Sequence, residues 1–364
     1  MTSKLRYNAS VVILLAALST LTFMLLRPPL RHLDSGIIVC ERPANEAFGS
    51  LEFETEFATL ENQLVDAYAE SQNLDLQVIY QVTSNPLGID EPITEALAAL
   101  AEENPQHRNS SVYLLNACIK FANHPVCTPQ IVDRALTLDR DNAAVWALVA
   151  SLRYTQGNTY GAVVALDAAN AAPDFNDYFQ EQLTLIKAAI PEAQEPYYSF
   201  LYRQAFNNAL PMLINDYSSM NPLSEMCRNE TSNNPRLANA CLNYGIRLAE
   251  QASSLAGKVM GGGIQYSAYF GQGNDSETRR IQLENRNRIR AMSRREVRLS
   301  NNLRDYDGQL FIYWYDQVIL HGEQQSIENL VAEARRRSSD ANYNPCPGTQ
   351  FTNALFNIRD LTGW

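Results

Sequence analysis

From Asn142 to Pro173 the chain reads as two short helices joined by a glycine turn, and similar spacing recurs about every 34 residues toward the N-terminus. Asn142 suits an N-cap, because its side chain can accept an otherwise unpaired backbone N–H. Trp146, Val149, Ala150 and Tyr154 follow at helical spacing, and Gly157 suits the left-handed position past a helix end. A second helix is expected from about Thr159, with Ala162, Leu166 and Ala169 on one face and Pro173 as its stop. Small residues at Ala150, Ala162 and Ala169 allow close approach, while Trp146 and Leu166 fill the groove. One period back, Val112, Leu115, Val132 and Ala135 keep apolar or small positions, and Thr128-Pro129 has the form of a helix start. A further period back, Thr94, Ala98, Ala101 and Pro105 repeat the second-helix pattern. One such hairpin cannot bury its apolar face alone, so the recurrence predicts stacked pairs.

Over about residues 90–176 this pattern resembles the tetratricopeptide repeat. The family's Trp, large apolar, small, Gly, Ala, bulky, Ala and Pro positions fall on Trp146, Val149, Ala150, Gly157, Ala162, Leu166, Ala169 and Pro173. Pro173 is displaced by one residue, and Arg153 stands where the family has an aromatic, with Tyr154 beside it. The resemblance implies a superhelical scaffold that binds a partner on the surface of its first helices. Here that surface would include Tyr113, Lys120, Ser151 and Thr155.

The rest of the chain is also helical in pattern, without a clean period. Leu237, Ala240, Cys241, Tyr244 and Leu248 form one stripe from Pro235 to Gln251. Phe311, Trp314, Tyr315 and Val318, then a break at Gly322, then Ile327, Leu330, Val331 and Ala334 predict a hairpin over 308–337. No run keeps a period of two, so the expected class is all-α: stacked hairpins, preceded by a transmembrane helix. The divisions are 1–26 anchor, 27–50 tether, 51–217 helical repeats and 218–364 C-terminal helices. Residues 218–235 and 338–352, rich in Asn, Ser and Pro, are expected to be irregular.

Ala9 to Leu26 is an uninterrupted apolar run of 18 residues, about 27 Å as a helix and close to one hydrocarbon thickness. Arg27-Pro28-Pro29 follows it with no small-x-small cleavage signal, which favours an uncleaved anchor over a signal peptide. Two basic residues on each side leave orientation undecided by charge. The six cysteines, all beyond the run, suit an oxidising compartment. Spacing pairs Cys118 with Cys127 and Cys227 with Cys241, leaving Cys40 and Cys346 as a long-range pair. Six reduced buried thiols are the competing reading. Disulfides place the body outside the cytoplasm, in the periplasm if the cell is bacterial.

Residues 279–304 hold nine arginines in a chain of net charge -11. Arg286, Arg290, Arg294 and Arg298 are spaced i, i+4; on one helix they form a stripe of like charges that needs an anion opposite. That anion is either an external one (an acidic partner, anionic lipid or polyanionic glycan) or the chain's own Glu52, Glu54, Glu56, Glu61 and Asp66. No aromatic interleaves these arginines, which argues against nucleic acid. Cys118, His124 and Cys127 supply only three metal ligands, two of them better explained as a disulfide. Gly261-Gly262-Gly263 follows Lys258, the reverse of a phosphate-binding loop, and fits a helix break or a close helix contact. Asn109, Asn229 and Asn274 head glycosylation sequons. No catalytic residue, metal or cofactor is expected. The reading is a membrane-anchored extracytoplasmic scaffold that binds a protein or peptide, with a cell-envelope enzyme whose pocket lies between the two helical regions as the alternative. A third reading is an assembly protein that oligomerises through its anchor and its arginines.

Overall fold

Four helices begin near a 34-residue interval, at Leu74, Arg108, Ala143 and Phe179, and side chains of Asn73, His107 and Asn142 close the N-termini of the first three. The computed structural model describes residues 35–40, 68–83, 85, 89–190, 202–203, 206 and 218–346. In chain order its helices are α1 (Leu74–Thr83), α2 (Glu91–Glu103), α3 (Arg108–Lys120), α4 (Pro129–Asp139), α5 (Ala143–Thr155), α6 (Thr159–Ala171) and α7 (Phe179–Ala189). Then come α8 (Asn221–Asn229), α9 (Pro235–Gln251), α10 (Leu255–Gly271), α11 (Asp275–Met292), α12 (Arg295–Tyr306) and α13 (Gly308–Ser338). The described residues form no strand, so the class is all-α.

The capping chemistry follows the sequence closely. Asn142 Oδ1 accepts the Ala144 N–H, Asn158 Oδ1 accepts the Gly161 N–H, and Gly157 turns the chain at φ +77°. Pro129 opens α4, although the Thr128 side chain makes no capping bond. Short turns fold α2 on α3 and α5 on α6. Packing then continues from α6 to α9, from α9 to α10 and from α10 to α11. One apolar core runs through these helices from Leu76 to Ala334, with Val297, Ile327 and Val331 in a small satellite cluster.

One expectation is corrected here, and one pair of alternatives is decided. Residues 218–235 are not a plain loop, because α8 lies within them. Pro222 sits in its first turn, where a missing N–H costs nothing, and Leu223, Met226 and Cys227 give it a buried face. The three glycines at 261–263 do not break a helix, because all lie inside α10. Gly261 serves close contact: a Cβ built on it would stand 2.3 Å from the Ala249 backbone nitrogen and 2.6 Å from the Gly245 carbonyl oxygen of α9. The break expected at Gly322 is present, at φ +76°, where its backbone presses on the Ser253 carbonyl. Phe311, Trp314 and Tyr315 are core, as their spacing implied.

The cysteines are joined as Cys40–Cys346, Cys118–Cys127 and Cys227–Cys241, with S–S distances of 2.00, 1.97 and 2.03 Å. The apolar run 9–26, residues 27–34 and 41–50 of the tether 27–50, and the acidic residues 52–66 lie outside the described residues. No helix of the described residues is long and apolar enough to cross a membrane.

Candidate functional site: a polar ladder and an exposed basic face

Polar side chains at the N-terminal ends of α1, α3, α5 and α7 join into one network. Asp75, in the first turn of α1, accepts from His107 Nε2 at 3.0 Å and from Asn109 Nδ2 at 2.7 Å. His107 is also the N-cap of α3, its Nδ1 accepting the Ser110 N–H, so the ring proton sits on Nε2 and points at Asp75. Those bonds hold the Asp75 carboxyl below the usual carboxylate range, with His107 the largest cause. Arg108 reaches across to Glu181 of α7 and lies over the Tyr178 ring. Glu181 in turn accepts from Asn176 Nδ2 at 2.6 Å.

Asn142 is the densest node. Its Oδ1 accepts the N–H groups of Ala144 and Asn176, both at 3.0 Å. Its Nδ2 donates to Asp139, to the Asn176 carbonyl and to the Tyr178 hydroxyl oxygen. Tyr178 donates to Asp139 and takes φ +58°, a left-handed value that among the described non-glycine residues it alone adopts. Such a backbone persists only where the surroundings over-determine it. Asn109–Asp75 and Asn142–Asn176 each join residues 34 apart in sequence. The ladder therefore locks successive first helices in register. Asn142→Ala removes a cap and leaves the Asn176 N–H and the Tyr178 hydroxyl short of a partner. It is expected to cost about 3 kcal/mol in urea unfolding, and a loss under 1 kcal/mol would show the ladder is not a stabilising element.

The arginines behave differently from expectation. Arg286, Arg290, Arg294 and Arg298 are all exposed, but they do not lie on one helix. α11 ends at Met292, Arg294 is the extended N-cap of α12, and only Arg298 lies on α12. The chain turns there because Val297 must reach Ile327 and Val331 of α13, which a straight continuation would not allow. Among the described residues none of the four meets a carboxylate, whereas Arg280 pairs with Glu277 and Glu284. Arg304 turns inward over the Trp314 ring at 4.1 Å, and burial pushes its guanidinium down to about 10.

Of the other nominated residues two are committed to the fold, while Thr155 and Lys120 stay exposed. Tyr113 and Ser151 are buried, because α8 packs on α5 and Ser219 reaches Asn116 of α3. Thr155 bonds the Ser151 carbonyl, and Lys120 reaches the Ile89 carbonyl at 2.6 Å. The surface that the resemblance assigns to a partner is thus partly covered by the chain itself. The disulfide consumes both thiols of the Cys118–His124–Cys127 set. Asn109 is buried in the ladder, while Asn229 and Asn274 are exposed. An open cleft of about 320 Å³ is lined by Gln81, Asn85, Asp90, Pro92 and Ile93, and Asn85 Nδ2 donates to Asp90 across it.

The sequence reading missed the ladder. The signal was available as Asp75, Asn109, Asn142 and Asn176, four short polar side chains close to the repeat interval. No family model, curated protein or solved structure matches this chain.

Proposed function

We propose that the chain is a membrane-anchored, extracytoplasmic helical-repeat scaffold of tetratricopeptide-like stacking that binds a protein or peptide partner. The ladder carries this reading. Hydrogen bonds between residues 34 apart hold first helices in a repeated register, which suits a rigid display surface. The three disulfides support an oxidising compartment, and the apolar run at 9–26 supports an anchor. With α8 over α5, the partner's surface moves to the outward faces of second helices. On α6, Tyr160 is 81% exposed and Val164 is 41% exposed, one turn apart.

Two measurements test it. A compartment reporter fused after residue 60 should be active only outside the cytoplasm; activity only inside would reverse the orientation. A photo-crosslinking side chain at 160 should give one discrete adduct in cells, and the same probe at Glu328, exposed on α13, should not. Equal labelling at both positions, or none at 160, would remove α6 as the partner's surface.

A further inference from the structure

α11 and α2 present complementary outer faces at opposite ends of the packing order. α11 packs on α10 through Thr278 and Ile281. Its opposite face carries Arg279, Leu283, Arg286 and Arg290 at i, i+4, i+7 and i+11, one stripe of a helix. Leu283 is 54% exposed in the middle of that stripe, and the three arginines meet no carboxylate among the described residues. Like charges at this spacing repel, so an anion opposite would stabilise them.

α2 packs on α1 and α3 through Ile93, Thr94, Leu97, Ala98 and Ala101. Its outer face carries Glu91, Glu95, Ala99 and Glu102, all exposed. Glu91 and Glu102 meet no cation among the described residues. Glu95, 67% exposed at its side chain, has only His124 Nε2 at 3.6 Å. Arg134 donates to the Ala101 carbonyl at 2.7 Å.

We propose that α11 of one copy packs antiparallel along α2 of a second copy. Arg290 then faces Glu91, Arg286 faces Glu95 and Arg279 faces Glu102. Leu283 lies over the exposed small residue Ala99. The pattern basic, basic, large apolar, basic meets acidic, acidic, small, acidic in the same register, so both charge and shape match. Arg and carboxylate form two-pronged bonds, which fixes that register. The two faces lie on different helices, so the contact is head-to-tail and each copy keeps one of each free. This goes beyond the scaffold reading and does not depend on which partner the scaffold binds.

The test uses the full chain in detergent, followed by sedimentation velocity across protein and salt concentration. Wild type should associate at low salt, with at least about tenfold weaker association at 500 mM salt. Arg279→Glu with Arg286→Glu, and separately Glu95→Arg with Glu102→Arg, should each be monomeric. All four side chains are exposed and none of them caps a helix, so helicity should be kept. An equimolar mixture of the two variants should associate again, because each then offers what the other lacks. Wild type that stays monomeric, association retained by either variant, or a mixture that stays monomeric would each overturn the proposal.

Discussion

Gly261→Val is expected to lower global stability by about 3 kcal/mol or more and to spread the α9–α10 contact. The atoms in its way are backbone, the Ala249 nitrogen and the Gly245 carbonyl, and neither can rotate aside as a side chain can. The helices must separate, and α9 and α10 are the pair through which α6 and α11 join the stack. Gly263, two residues along the same helix, supplies the control. A Cβ there meets nothing within 4 Å, so Gly263→Ala should be neutral or stabilise by about 0.5–1 kcal/mol through helix propensity. Urea unfolding of both variants decides the matter. A Gly261→Val midpoint at the wild-type value would mean that α9 and α10 do not cross closely at Gly261.

Cys227→Ala with Cys241→Ala should cost about 3 kcal/mol, the loop-closure value for a bridge spanning roughly 15 residues. Both sulfur-bearing residues are fully buried, so their loss also loosens packing. The bridge pins α8, which is nine residues long and too short to persist as an isolated helix. Amide exchange should therefore rise first in α8 and next on the α5 face it covers. Uniform acceleration across all helices would show instead that α8 unfolds only with the whole body. The Cys118–Cys127 bridge spans 9 residues, and its removal is expected to cost less.

Local chemistry made much of the fold legible. Asn142 and Gly157 declared helix ends, and apolar residues three and four apart declared buried faces. What stayed hidden depended on distant partners. Residues 221–229 read as loop because Asn, Pro and Ser dominate their surroundings, yet three buried side chains suffice once α5 and α10 supply a floor. Arg286 to Arg298 read as one stripe because spacing alone cannot reveal that Val297 pulls the chain toward α13. The ladder stayed unread because short polar residues at helix starts resemble ordinary caps. Its members are distinguished only by bonding to one another across repeats.

The Cys40–Cys346 bond closes a covalent ring around nearly all of the described helices. Tension that enters the chain ahead of residue 40 therefore passes straight to residue 346, and the helices between them hang beside the load path. Pulled from beyond residues 40 and 346, the oxidised molecule would not lengthen between them, whereas the reduced one would open helix by helix.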